Sequence, residues 1–299
     1  MQEYRKCGRV RHDWHSGCEV PQLILKGRHT GETSRGPQPF LKWPGGKRWL
    51  WGTLQPLLPS RFNRYFEPFL GGGAIFFALH PRRAILSDIN QELINAYTQI
   101  RDNVDGVIKS LSKLAINRRT YHRIRNLNPN DNIEKAVRVI YLSKTAFNGM
   151  YRVNRQGLFN VPFAGQQHRR LFEVEALTTA SALLQGRELR VRDFAESLAA
   201  TRAGDLVYCD PPYTVLHDNN GFLRYNESLF SWADQKRLAE MAKVAARRGA
   251  RVIVSNARTD HVRALYPGFD ALTVYRPSCV SARSDSRRRV SEFLFVSKM

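Results

Sequence analysis

Cysteine is scarce in this chain: Cys7, Cys18, Cys209 and Cys279 are scattered over 299 positions. Four thiols so placed exclude a disulfide framework. No apolar run approaches the roughly 20 residues that a membrane-spanning helix needs. The N-terminus has no apolar signal-peptide core, so a cytoplasmic protein is expected. No self-similarity appears at periods of 20–50 residues, which excludes a repeat array. Acidic residues are few as well: 26 Asp and Glu stand against 47 Lys and Arg, for a formal charge of +21. Such a balance points to a polyanionic partner, most often nucleic acid, although an anionic membrane surface also fits. An apolar content of 42% with 11% aromatics excludes a disordered chain, and the length suits one large domain or two modest ones.

The charge is uneven. Residues 1–37 carry +3, 38–90 carry +5 and 91–170 carry +9, whereas 171–270 are neutral and 271–299 carry +4. Residues 1–37 lack helical or strand periodicity and read as a disordered basic tail. Their Cys7, His12, His15 and Cys18 do not match the paired spacing of common zinc sites, so no metal is expected. From residue 38 onward, short apolar runs alternate with amphipathic stretches, as in an α/β protein. Strands are expected at Arg64–Glu67, Arg83–Asp88, Glu188–Val191, Asp205–Asp210, Arg251–Ser255, Ala271–Tyr275 and Glu292–Val296. Helices are expected at Ala74–Leu79, near 173–184 and near 231–248. Between Gln91 and Lys144 the pattern is mostly helical, with no convincing buried strand, and Tyr151–Phe163 reads as a β-hairpin centred on Asn154-Arg-Gln-Gly157. An α/β scaffold, 38–90 with 171–299, is thus interrupted by a basic insertion over 91–170.

Three segments carry the chemistry. In Phe66-Glu-Pro-Phe-Leu-Gly-Gly-Gly-Ala74, a strand runs into three glycines that allow a sharp turn and close approach of a ligand. The next strand ends in Asp88, which can accept hydrogen bonds from ribose hydroxyls. The glycines are not followed by Lys-Ser/Thr and are not spaced as G-x-G-x-x-G, so neither a P-loop nor a dinucleotide fingerprint is present. Glu67 would repel a pyrophosphate but suits a cationic nucleoside such as S-adenosylmethionine, which makes Glu67 and Gly71 candidate cofactor contacts. In Asp205-Leu-Val-Tyr-Cys-Asp-Pro-Pro-Tyr213, an apolar strand delivers Asp210 to a loop stiffened by Pro211 and Pro212. An aromatic amino group could donate one hydrogen to Asp210 and the other to a proline-loop carbonyl, with Tyr213 stacked on the ring. Cys209 points to the opposite face of its strand, so no cysteine nucleophile is implied. In Pro39-Phe-Leu-Lys-Trp-Pro-Gly-Gly-Lys-Arg48, Trp43 could cover an adenine or sulfonium while the glycine turn brings Lys47 to a carboxylate. Taken singly, these segments also read as a tight turn, a strand-ending turn and a helix-start loop.

Together and in this order, the segments resemble the Dam family of DNA adenine N6-methyltransferases, of the D12 class. The resemblance runs from Phe40 to the C-terminus and includes Phe147-Asn-Gly-Met-Tyr-Arg152 and Phe159-Asn-Val-Pro-Phe163. It implies a Rossmann-like S-adenosylmethionine-dependent methyltransferase sheet and a mainly helical target recognition insertion with a hairpin. It implies methylation of adenine in duplex DNA, with GATC as the family's site, and links to restriction-modification. Trp43, Lys47, Asp88 and Asp210 are implied to contact S-adenosylmethionine, and Asp210, Pro211, Pro212 and Tyr213 to hold the adenine. Phe147 and Asn148 sit where the family inserts a hairpin as the base flips out. Lys42, Met150, Arg152 and Pro162 match positions that read or line the recognition sequence, and Arg125 matches a phosphate contact.

The chain departs from the family at Ser143, Leu158 and Ala164–His168, positions that bear on first-base readout. The rival readings are an RNA adenine N6-methyltransferase and a DNA-binding relative without catalysis. The basic insertion with its aromatic wedge argues against the first, and the intact Asp210–Tyr213 loop against the second. A monomer is expected.

Overall fold

In the computed structural model, the chain is described for residues 37–154, 156–165, 170–213, 230–277 and 289–298. The expected tail, with its Cys7–Cys18 pattern, lies outside the described residues except for Pro37. Seven strands form one sheet: β1 (Tyr65–Glu67), β2 (Ala84–Asp88), β3 (Glu188–Val191), β4 (Leu206–Cys209), β5 (Arg251–Ala257), β6 (Phe269–Pro277) and β7 (Arg289–Ser297). Their order is β3-β2-β1-β4-β5-β7-β6. The first five pair in parallel, and β7 runs antiparallel between β5 and β6. This is the Rossmann-like α/β arrangement expected of the sequence.

The sheet is apolar on both faces because side chains alternate along each strand. Tyr65, Leu86, Leu206, Tyr208, Ile253, Leu294 and Val296 enter one core. Phe66, Ile85, Val207, Cys209, Val252, Val254, Phe293 and Phe295 enter the other. Cys209 therefore lies on the buried face opposite Tyr208, as the alternation required.

Ten α-helices are described. α1 (Trp51–Leu54) and α2 (Ala74–Leu79) precede α3 (Gln91–Asp102), α4 (Val104–Leu111), α5 (Arg118–Asn126) and α6 (Asn132–Thr145). α7 (Val174–Leu184), α8 (Phe194–Ala199), α9 (Trp232–Arg247) and α10 (Asp260–Ala264) follow. Asn90, Asn103, Asn117 and Asp131 each accept a backbone N–H at the start of α3 to α6, which explains four successive helix starts without glycine or proline. Ser231 and Asp234 form a reciprocal capping box on α9. α8, α9 and α10 cover the second core through Phe194, Leu238 and Val262. The first core extends from the sheet through α3 to Tyr121 and Tyr141 of α5 and α6 without a break. α3 packs on β2 and β3 as well as on α6, so the insertion is rooted on the sheet.

The expected hairpin is irregular. Among its described residues only isolated bridges form, Val153 with Phe159 and, farther out, Ala146 with Phe163. Asn154 holds the tip by accepting from the backbone N–H of Gln156 and Leu158, a side-chain turn that competes with ladder pairing. The short helices α1, α8 and α10 were not expected from the sequence.

Candidate active site

The strand order reverses between β1 and β4, and in sheets of this kind ligands bind beyond the carboxyl ends of the strands at that point. The glycine turn follows β1, and Asp210 follows β4.

Packing accounts for the three glycines. Gly71 and Gly73 have φ of +46° and +65°, the left-handed region that other residues avoid. A Cβ on Gly71 would meet Trp43 Cδ1 at 3.0 Å, and one on Gly73 would meet the Tyr97 hydroxyl at 2.8 Å. The turn is held by Asp88, which accepts from Gly71 N at 3.1 Å and from Asn90 N at 3.0 Å. Tyr97 donates to the Gly71 carbonyl at 3.0 Å. Asp88 is thus an organiser of the turn in addition to being a candidate ribose contact. Burial raises its pKa against these backbone N–H groups.

Glu67 differs from its expected role as a charge facing a cationic nucleoside. It is buried beneath the turn, accepting from Tyr65 Oη at 2.8 Å and from Phe76 N at 3.1 Å. Burial, the largest influence, pushes its carboxyl up to about 8, so it is mainly a neutral acid at pH 7.

Lys47 is brought by the glycine turn to carboxylates of the protein itself. It is 5% exposed, with Nζ 3.0 Å from Asp210 Oδ1 and 3.5 Å from Glu292 Oε2. It also lies 4.5 Å from the centroid of the Tyr213 ring. The Tyr213 hydroxyl lies 2.8 Å from Glu292 Oε2, 2.8 Å from Ser255 Oγ and 3.5 Å from Asp210 Oδ1. Its ring is therefore tethered at the hydroxyl and capped by an ammonium, an anchored wall in place of a free stacking platform. Burial raises the Asp210 carboxyl, Lys47 lowers it, and the balance is a value of about 6. The Pro212 carbonyl accepts from Gln235 Nε2 at 3.3 Å, and Gln235 Oε1 accepts from Asn256 at 2.8 Å. One of the two proline-loop carbonyls therefore already accepts a hydrogen bond from the protein.

Trp43 stacks on Tyr151, with centroids 4.9 Å apart and planes at 23°. Tyr151 in turn donates to Glu92, which pairs with Arg138, whose Nη2 reaches the Arg125 carbonyl. Glu292, Ser255, Gln235 and Tyr151 were missed from sequence. For Glu292 and Ser255 the only signals were an acid and a Ser-Asn pair inside apolar strands, where a buried polar side chain needs a partner, and Gln235 and Tyr151 carried no such signal.

A second polar surface surrounds Phe147. It is 47% exposed on a 3-10 turn, Phe147–Gly149, in which Asn148 has φ of +54°. Phe147 N donates to the Pro162 carbonyl at 2.9 Å, tying the turn to the hairpin. Gly149, φ +63°, lies under the aliphatic stem of Lys42, where a Cβ would collide. Met150 is half-buried, and Arg152 Nε donates to Asn160 Oδ1 at 2.8 Å. The fold thus brings Lys42 to Phe147, Asn148 and Gly149, with Pro162 bonded to the same turn, Met150 next along the chain and Arg152 on the hairpin beyond. Arg125 stands apart on α5, whose Tyr121 hydroxyl donates to the Val161 carbonyl. Among the described residues, no helix is long and apolar enough to cross a membrane.

Comparison with known proteins accords with this geometry. A type II methyltransferase of Lactococcus lactis subsp. cremoris is 34% identical over 267 residues, covering 86% of this chain and 94% of its own. A type II methyltransferase of Methanocaldococcus jannaschii is 32% identical over 275 residues, with coverages of 84% and 95%. The DNA adenine methylase of Escherichia coli K12 is 31% identical over 265 residues, with coverages of 87% and 95%. The profile of the D12 class N6 adenine-specific DNA methyltransferases matches residues 43–276, and with a glycine turn and an Asp-Pro-Pro-Tyr loop flanking the strand reversal, the chain belongs to that family of adenine-specific DNA methyltransferases.

Proposed function

We propose that the chain methylates N6 of an adenine flipped out of duplex DNA, at a short site of the GATC type, with S-adenosylmethionine as donor. The observation that carries this reading is the position of Asp210, at the end of β4, paired to Lys47 and facing the glycine turn across the strand reversal.

The residues present suit the donor. Among the described residues, the pocket sets Asp210 and Glu292 against the cation Lys47, with Glu67 mainly neutral at pH 7, so a cationic sulfonium is favoured there. Asp88 and the Gly71 turn would hold the nucleoside, exposed Ile89 offers it an apolar surface, and Trp43 walls the site. S-adenosylmethionine, when bound, supplies an electrophilic methyl group.

The chain's own part is to orient the acceptor. Asp210 accepts one hydrogen of the adenine amino group, and with Pro212 engaged by Gln235 the Pro211 carbonyl takes the other. Those two acceptors favour a pyramidal nitrogen with its lone pair directed outward. Transfer would break the methyl–sulfur bond of the donor, leaving a neutral thioether. The positive charge gained by N6 would be stabilised by the Asp210 carboxylate until one N6 proton passes to solvent.

Residues 91–170 serve as the target recognition region, consistent with their charge of +9. Extruding a base costs a few kcal/mol, which phosphate contacts such as Arg125 and Lys42 help to offset. Phe147 fills the vacated stack. Arg152, steadied through Nε by Asn160, keeps its terminal nitrogens for guanine, which is worth ~1–3 kcal/mol of discrimination.

Transfer of labelled methyl groups from S-adenosylmethionine to DNA, followed by mapping of N6-methyladenine, tests the reading. Asp210→Ala should abolish transfer while DNA affinity stays within a few-fold; a variant that still methylates would overturn the mechanism. Labelling of RNA in place of DNA would overturn the substrate.

A further inference from the structure

Glu292 lies on β7, beyond β5 from the Asp-Pro-Pro-Tyr loop and opposite Ala257 in register. It is 1% exposed and shares a strand face with Leu294 and Val296, which enter the first core. A carboxylate in such a place is expensive unless it is paired. Its Oε2 lies 3.5 Å from Lys47 Nζ and 2.8 Å from Tyr213 Oη. One oxygen thus reaches both a residue from the chain's first described loop and the last residue of the catalytic loop.

We propose that Glu292 is a positioning residue for methyl transfer: its carboxylate ties the Tyr213 hydroxyl and the Lys47 ammonium together, fixing the Asp210–Tyr213 loop and drawing part of the lysine's charge away from Asp210. This rests on the reading that the loop holds the adenine.

Two consequences follow from the geometry. Lys47 is 0.5 Å closer to Asp210 than to Glu292, so the two carboxylates divide one cation unequally. Without Glu292 the whole charge would fall on Asp210, making it a poorer hydrogen-bond acceptor. Tyr213 would also lose an acceptor at 2.8 Å, while its contacts to Ser255 and, at 3.5 Å, to Asp210 would remain. The titratable groups around Asp210 are Lys47, Glu292 and Tyr213, with Glu67, Tyr208 and Cys209 also feeling its charge. Only Lys47 among these is cationic. Glu292 raises the Asp210 carboxyl and Lys47 lowers it, in keeping with the proposed division.

The test compares wild type with Glu292→Gln, Glu292→Asp and Glu292→Ala in the full chain. Rates of methyl transfer are measured from pH 5 to 9, affinities for S-adenosylmethionine and DNA separately, and the Asp210 carboxyl carbon is titrated by NMR. Glu292→Gln retains an acceptor for Tyr213 but removes the charge. It should lower kcat about tenfold with affinities within two- to threefold, and move both the acid limb and the Asp210 titration down by about one pH unit. Glu292→Asp should restore the titration and part of the rate, and Glu292→Ala should lose more activity than Gln. If the alanine variant fails to fold, the near-isosteric glutamine decides. A wild-type rate and an unmoved Asp210 titration in Glu292→Gln would overturn the proposal, as would a loss confined to cofactor or DNA affinity. A shifted titration in a protein that transfers no methyl group to adenine would support the Glu292 linkage and overturn the functional reading instead.

Discussion

Lys42 and Lys47 are five residues apart, yet they spend their charge differently. Lys47 is nearly inaccessible and sits between Asp210 and Glu292. Lys42 is exposed, its stem crosses Gly149, and among the described residues it forms no ion pair. Its close neighbour Lys144 is another cation, held below the usual lysine range by burial and then by Lys42 itself. A like-charged pair beside an exposed aromatic is unfavourable in the free protein and becomes favourable against phosphates. The pocket resolves its charges internally, and the other surface leaves them for a polyanion.

The largest expected effect separates these two lysines. Lys47→Met removes the cation from a buried pair of carboxylates, so Asp210 should bind a proton at neutral pH and the chemical step should fall about 10³-fold. That loss should be independent of salt. Lys42→Ala should instead weaken DNA binding and reduce the slope of log K against log salt by about 0.9, with little change in the saturated rate. Binding isotherms at four salt concentrations with single-turnover rates check both. A salt-sensitive rate defect in the Lys47 variant would erase the contrast.

Phe147→Ala probes the recognition surface at its most apolar point. The ring is 47% exposed on a turn pinned by the Pro162 carbonyl, so its removal should not disturb the core. Stabilisation of the vacated stack should drop by about 1–2 kcal/mol, a roughly fivefold to thirtyfold loss in kcat/KM. The fluorescence of 2-aminopurine at the target position should fall in parallel, since fewer bases are extruded. Undiminished fluorescence would remove Phe147 from the flipping step.

The scaffold was largely legible because its signals are local. Glu188–Val191 and Ala74–Leu79 are bounded by the residues that the alternation and periodicity indicated. The motif residues were legible too, but their partners were not. Besides the ligand roles expected of them, Lys47, Asp210 and Glu67 each bond to protein groups that the local pattern did not indicate. Glu292 lies 82 positions from Asp210 and 245 from Lys47, and only the β5–β7 pairing brings it to them. The hairpin was legible as a turn but not as an irregular one, because Asn154 diverts two backbone donors from the ladder. Long-range pairing of polar groups depends on topology, which local pattern does not encode.

The smallest predicted effect concerns Glu67, an acid of the pocket that is not paired with Lys47. Its carboxyl is raised to about 8 against an unfolded value near 4.3. The stability it contributes is full below the unfolded value and is lost as pH rises through the folded one, because the native state must then ionise a buried acid or release it. Glu67→Gln preserves an acceptor for the Tyr65 hydroxyl and the Phe76 N–H but has no proton to lose. Its Tm should match wild type at pH 5 and exceed it by roughly 3 °C or more at pH 9, with each kcal/mol worth about 2–4 °C in a protein near this size. Calorimetry at pH 5, 7 and 9 reads the divergence. Parallel curves would show that Glu67 is ionised in the native pocket, and the charge contrast drawn between Lys47 and Lys42 would then have to include a third carboxylate.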